Sequence, residues 1–260
     1  MFRKFFALSF DDGLEQDRRI ISLLKKYTLG GTFHLNSGLF GEKGYVGIDK
    51  EGVTKGFDVA ELDSRAGDFP VYSKAFRLSE NEDVQLYKEF EVASHTVTHA
   101  DISAASDSEL KNEIVKDVKA LSELFGQEIR GFAYPYGRGA DRSSNVLKEI
   151  GICYARTVAP TENFCFPADP MYLGLNAQVR DADVFSKLES FFAAQPDNDD
   201  LLFVLFTHGY ELDYETDDCS WEKFERICSL VSSREDITPC CIGDAFRMHR
   251  GKSPLYYPYK

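Results

Sequence analysis

The chain has 260 residues, 43% of them hydrophobic and 28% charged, which is enough apolar material for a large packed core and excludes wholesale disorder. A net charge of −13 excludes the basic surface that nucleic-acid or anionic-membrane binding requires. No apolar run approaches the ~20 residues of a membrane-spanning helix.

The first element is the stretch Phe5-Phe6-Ala7-Leu8-Ser9-Phe10, followed at once by Asp11-Asp12-Gly13. It reads as a short buried strand ending in a tight turn. Adjacent carboxylates are costly to desolvate unless something positive sits beside them. Two readings are open: a polar turn capping the next helix, or a site where one carboxylate binds a metal ion and the other stays free as a base. Leu14–Tyr27 then carries Ile20, Ile21, Leu23 and Leu24 at helical spacing, and Gly30-Gly31 ends it. Thr32–Asn36 is the next expected strand, so the unit is β-α-β with parallel pairing.

Residues 37–79 differ, because glycines from Gly38 to Gly67 interrupt any periodicity. They are expected to form an insertion of loops and short elements, either walling a substrate groove or making a surface excursion. A helix over Glu80–Lys88 should lead into the strand Glu91–Ser94, followed by His95-Thr96-Val97-Thr98-His99. Asp107-Ser108-Glu109 starts a long helix that Gly126 stops. Ile129–Tyr134 is a strand ending in Pro135-Tyr136-Gly137, and helix Ser143–Ile150 precedes strand Ile152–Ala155. Helix Asp181–Ala194 precedes the strongest strand, Leu201–Phe206, which ends in Thr207-His208-Gly209. Helix Ser220–Ser232, a strand near Thr238–Cys241 and a helical turn around Asp244–His249 complete the chain. The alternation implies one parallel α/β domain over residues 1–260, barrel-like in form.

Each polar cluster follows a strand, and the carboxyl ends of parallel strands are where sites are built. His95 and His99 are four apart. If the segment turns helically, both imidazoles share one face and can chelate one ion; the pair can also be incidental. With an aspartate from another strand end they make a two-histidine, one-carboxylate set that leaves positions open for water and substrate. His34 and His249 lack such company and are expected to be structural or surface residues.

These residues resemble a known pattern, that of polysaccharide deacetylases of the NodB-homology type, carbohydrate esterase family 4. Ser9-Phe10-Asp11-Asp12-Gly13 is similar to the first motif, T/S-F-D-D-G, and His95-Thr96-Val97-Thr98-His99 to the second, H-S/T-x-x-H. Ala133-Tyr134-Pro135-Tyr136-Gly137 stands for the third, R-x-P-Y-G, and Phe206-Thr207-His208 for the fifth, L-x-H. The resemblance implies a distorted (β/α) barrel that removes acetyl groups from an acetylated carbohydrate. It implies that Asp12, His95 and His99 bind a divalent metal, commonly zinc, that Asp11 is the general base and that His208 is the general acid. The Tyr136 backbone N–H would help hold the oxyanion, with Pro135, Tyr136 and Gly137 beside the substrate. Two departures stand out. The third-motif arginine is Ala133, so Asp11 is expected to lack that positive neighbour unless Arg142, Arg156 or Arg180 reaches it. No fourth motif is found to partner His208; Asp169, Asp181 and Asp183 are candidates by position, and Trp221 comes too late to line the groove. The alternatives are an amidohydrolase of the same fold acting on a small non-sugar amide, and a catalytically inactive sugar-binding module.

Arg3 and Lys4 precede an apolar run too short for a signal peptide, so the expected location is the cytoplasm, or outside the cell if a leader was removed. The six cysteines, Cys153, Cys165, Cys219, Cys228, Cys240 and Cys241, form no CxxC pair and are expected to be reduced and structural.

Overall fold

The continuous apolar runs become buried parallel strands. The computed structural model describes residues 2–80, 84–251 and 255. Its strands, in chain order, are β1 (Lys4–Asp11), β2 (Thr32–Leu35), β3 (Gly44–Ile48), β4 (Thr54–Asp58), β5 (Val71–Lys74) and β6 (Glu91–Ser94). They continue with β7 (Gly131–Ala133), β8 (Tyr154–Pro160), β9 (Leu173–Leu175), β10 (Ala177–Gln178), β11 (Leu201–His208) and β12 (Ile237–Cys240). The main sheet runs β10-β11-β1-β2-β6-β7-β8-β9, with β12 pairing the amino half of β1. All its pairings are parallel. Its two ends, β9 and β10, are separated only by Asn176, whose N–H donates to the Val204 carbonyl at 3.0 Å. The row therefore nearly closes on itself, and the expected (β/α) barrel is what the chain adopts.

Strand alternation decides which residues enter the barrel. Phe5 and Ala7 of β1 pack inside with Tyr154, Leu202, Val204 and Phe206, while Phe6, Leu8 and Phe10 face the outer helices. Burying each such aromatic ring stabilises the fold by about 1.5–3 kcal/mol. Ser9 and Asp11 continue the inward set, so the carboxyl end of the barrel interior is polar by the same periodicity that makes its floor apolar. Outside, the helix Asp107–Phe125 is capped by Ser106, which accepts from the Glu109 N–H, and is stopped by Gly126 at φ 61°. Among the described residues, no helix is long and apolar enough to cross a membrane.

Three expectations change. The first helix begins at Asp17 rather than Leu14, because Leu14 is drawn into a bridge with Arg77. Of the expected helix Glu80–Lys88, Glu80 is helical, residues 81–83 lie outside the described residues and Val84–Tyr87 forms a 3-10 turn. The insertion is not irregular: β3, β4 and β5 form an antiparallel sheet in the order β4-β3-β5. Its outer face is aromatic, with Phe57 and Phe69 stacked at 4.8 Å and the Arg65 guanidinium 5.5 Å above each. This side-chain packing supplies the regularity that the glycines concealed in the sequence. The six cysteines are unbridged, as expected.

Candidate active site

Where β1 ends, the backbone turns sharply. Asp12 sits at φ 82° and Gly13 at φ 65°, and a Cβ on Gly13 would come within 2.9 Å of Leu35. An aspartate held at positive φ costs on the order of 1–3 kcal/mol and persists only where its surroundings enforce it. Here the Asp12 N–H donates to His34 O at 2.9 Å, and the returning strand of the insertion clamps the turn through Leu78 N–H to Gly13 O at 2.8 Å. Arg77 from that same segment donates to the Asp12 main-chain oxygen and, at 3.1 Å, to its Oδ1. Burial opposes ionisation of Asp12, but Arg77, His99 and His208 outweigh it and bring its pKa to about 2.

The loop carrying His95 and His99 is not helical. Thr96 and His99 adopt φ values of 68° and 56°, and these two left-handed residues turn the rings toward each other. The His95 N–H donates to Leu35 O at 2.9 Å, and Asn36 Nδ2 donates to Thr96 O at 3.0 Å, fixing the loop on the barrel rim. His95 Nδ1 lies 2.8 Å from the Ala133 carbonyl. A carbonyl only accepts, so Nδ1 carries the proton and Nε2 keeps its lone pair, the arrangement typical of a metal-ligating histidine. Burial lowers the His95 pKa to about 3 and also lowers that of His99, so both rings are neutral at pH 7. One donor atom from each of Asp12, His95 and His99 lies within 4.8 Å of the others, the group of this kind found among the described residues. Two neutral imidazoles with free lone pairs and one ionised carboxylate fit a divalent ion such as zinc.

Asp11 lies deeper, on the inward face of β1. Its register partners are His34 on β2 and His208 on β11. His34, expected to be structural or at the surface, is buried, with Nδ1 3.2 Å from Asp11 Oδ1. The positive neighbour that Ala133 cannot supply is Arg156. Its guanidinium is fully buried, donates through Nη2 to both Asp11 oxygens, and lies 4.6 Å over the Phe206 ring. Ala133 and Arg156 are register partners on β7 and β8, so Arg156 stands one strand along from position 133 at the same level. Of the other candidates, Arg142 is tied to Asp107 and Arg180 to Glu211. Burial resists charge on Asp11, but Arg156 foremost, then His95 and His34, hold its carboxyl well below the usual range.

The missing partner of His208 is Glu211, which is none of the three positional candidates. Its Oε2 lies 3.7 Å from His208 Nδ1, too far for a hydrogen bond but close enough for a strong charge interaction. Glu211 is itself fixed by the His208 N–H at 3.0 Å, by Thr207 Oγ1 at 3.1 Å and by Arg180 at 3.3 Å. Burial works against a charged imidazole here, yet Glu211 and then Asp12 raise the His208 pKa. The positional candidates serve elsewhere: Asp169 pairs with Lys148, and both Asp181 and Asp183 with Lys187. Trp221 donates to Asp213 and is packed in the outer core, away from any groove. His249 stacks on Phe166 at 4.0 Å and lies 3.4 Å from Asp200, apart from the site.

Pro135, Tyr136 and Gly137 form a tight turn with Tyr136 at φ 57°. Tyr136 is 59% exposed and meets the His99 ring edge-on at 4.7 Å, while Pro135 is buried. Asp11, Asp12, His95, His99, Tyr136 and His208 together face a cavity of about 510 Å³, whose far wall includes Val46, Thr54 and Gly56 of the insertion. That volume is in the ~300–1,000 Å³ range of small-molecule sites.

The sequence profile of the polysaccharide deacetylase family matches residues 2–155. No curated protein matches the chain. Among solved structures, a candidate polysaccharide deacetylase from Mycobacterium smegmatis aligns with a TM-score of 0.59 at 12% identity, covering 100% of this chain and 96% of that one. A carbohydrate esterase family 4 pseudoenzyme from Bacillus anthracis aligns with a TM-score of 0.51 at 14% identity, over 93% of this chain and 64% of that one. A Streptococcus pyogenes deacetylase in complex with acetate gives a TM-score of 0.48 at 19% identity, over 65% and 62%. The chain thus spans less than two thirds of the last two.

Proposed function

The chain belongs to the polysaccharide deacetylase family, and from that premise we propose that it is a metal-dependent hydrolase that removes acetyl groups from an acetylated carbohydrate. The observation that carries this reading is the meeting of three donor atoms within 4.8 Å, with Asp11 and His208 on either side. A divalent ion held by Asp12, His95 and His99, zinc in this reading, would supply Lewis-acid polarisation of the acetyl carbonyl and the attacking water. Asp11, kept ionised by Arg156, accepts the proton of that water as its oxygen adds to the carbonyl carbon. The Tyr136 backbone N–H donates to the developing oxyanion. His208, whose charged form Glu211 favours, gives its proton to the departing nitrogen or oxygen as the C–N or C–O bond breaks. Acetate and the free amine or hydroxyl leave. A neighbour of this fold is a pseudoenzyme, but this chain keeps all five of Asp11, Asp12, His95, His99 and His208, which supports activity over a purely sugar-binding role.

Two substitutions with opposite signatures test the assignment. His95→Ala should lose the ion in elemental analysis. Asp11→Asn should keep the ion, at a measurable cost in stability because the buried Arg156 loses its charge partner, while losing ~100- to 10,000-fold in kcat on an accepted acetylated sugar. Full metal occupancy in His95→Ala, or near-normal kcat in Asp11→Asn, removes the residue concerned from its role.

A further inference from the structure

The helix Asp107–Phe125 grips the loop that carries His95 and His99 from one of its faces. Glu113 and Asp117 stand four residues apart on it, so their side chains share that face, one turn apart. Asp117 is fully buried, and three donors converge on its two oxygens. The Ser37 N–H donates to Oδ1 at 2.7 Å, while the Ser94 hydroxyl and the His95 N–H donate to Oδ2 at 2.6 and 3.2 Å. Glu113 takes the next part of the loop. Thr98 gives its N–H to Oε2 at 2.9 Å and its hydroxyl to Oε1 at 3.0 Å. The Glu113 main-chain oxygen also accepts the Val97 N–H at 3.1 Å. The loop needs such a hold. Thr96 is a β-branched residue at φ 68°, a conformation its side chain disfavours. Backbone so strained persists only where its surroundings enforce it. Asp117 holds His95 on one side of Thr96, and Glu113 holds Val97 and Thr98 on the other.

We propose that Glu113 and Asp117, neither of which lines the active-site cavity, are positioning residues that hold this strained loop in the shape that lets His95 and His99 bind one metal ion. This rests on the metal-binding part of the reading above and is independent of the substrate. The demand at position 117 is specific. An ionised carboxylate only accepts, so it serves all three donors at once. An amide has a single oxygen, and whichever way it is turned its NH2 faces a main-chain N–H, that of Ser37 or that of His95. The demand at position 113 is milder. A glutamine oxygen there can accept the Thr98 N–H while its NH2 donates to the Thr98 hydroxyl. Partners that orient ligands from outside the coordination sphere are typically worth 10- to 100-fold in metal affinity.

The test measures zinc affinity by competition with a chromophoric chelator, and the d–d absorption of the cobalt(II)-loaded protein as a report on ligand geometry. Glu113→Ala, at a half-buried position, should weaken zinc binding about tenfold and alter the cobalt spectrum. Glu113→Gln should restore most of the affinity and the wild-type spectrum, whereas an effect of charge alone would make it behave like Glu113→Ala. Lys116→Ala, at an exposed position of the same helix, should change neither. Asp117→Asn should lose more affinity than Glu113→Ala; because a buried mismatch can disturb folding, the two Glu113 variants decide the outcome. Amide hydrogen exchange on metal-free protein gives a readout independent of the ion. Residues 95–98 should exchange faster in Glu113→Ala than in wild type, and at the wild-type rate in Glu113→Gln. Unchanged zinc affinity and loop protection in Glu113→Ala, or a Glu113→Gln protein as weak as Glu113→Ala, overturn the positioning role. A wild type that binds no zinc, with loop protection still dependent on Glu113, instead overturns the metal-site reading while supporting the hold on the loop.

Discussion

Replacing Arg156 by Met probes the substitution of one arginine for another. Arg156 is fully buried and Asp11 nearly so, and they are paired through both carboxylate oxygens. Removing one partner of such a pair strands the other charge, at a cost of about 3–5 kcal/mol. Against a total stability of about 5–15 kcal/mol, that is a large and measurable loss. Urea unfolding followed by the fluorescence of the single tryptophan, Trp221, on metal-free protein would report it. The loss also has a pH signature. In the wild type the Asp11 pKa lies well below the ordinary value, so its stabilisation is present above that value and fades only as pH falls through the folded pKa. In Arg156→Met, burial dominates and raises the Asp11 pKa, so the native variant takes up a proton more readily than the unfolded chain. The deficit should therefore be full near pH 7 and shrink toward about pH 4. Ala133→Arg alone should destabilise, because position 133 is completely buried beside Arg156 and overpacking costs about 1–3 kcal/mol. Combined with Arg156→Ala it moves the guanidinium back one strand and should recover part of both stability and activity. An Arg156→Met protein with an unmoved urea midpoint at pH 7 would refute the reasoning.

Two other outcomes follow from the geometry. Glu211→Gln keeps the shape but removes the charge facing His208, so kcat should fall by about tenfold or more and the basic limb of its pH profile should move to lower pH, whereas Asp181→Asn and Asp183→Asn leave both in place. At the other end of the barrel, burial raises the Glu91 pKa to about 7, against opposing bonds from the Gly243 N–H and Thr32. A raised carboxylate binds its proton more tightly folded than unfolded, so stability should decline as pH rises from about 4.5 to about 7, and Glu91→Gln should flatten that decline in denaturant titrations.

What the sequence made legible is local. Asp11-Asp12-Gly13 and His208 were visible because each follows a continuous apolar run, and strand periodicity carries them to one rim. Arg156 was one of three candidates because only the β7–β8 register, a long-range fact, puts it beside Asp11 in place of Ala133. Glu211 did leave a signal. It stands three residues after His208 at the start of a helix, where a carboxylate reaching back to the His208 N–H is a familiar cap. His34 also left one, since Phe33 and Leu35 face outward and the residue between them must face in, level with Asp11. Arg77 left none: it lies within glycine-broken sequence, and its contact with Asp12 arises from the folding back of the whole insertion.

The most direct measurement of the central claim is acetate release from an N-acetylglucosamine oligomer by the purified protein, before and after removal of bound metal by a chelator and again after zinc is returned. The account predicts release by the loaded protein, loss of release on chelation with the fold retained, and recovery on reconstitution. Release that continues undiminished in fully chelated protein would contradict a catalytic metal held by Asp12, His95 and His99.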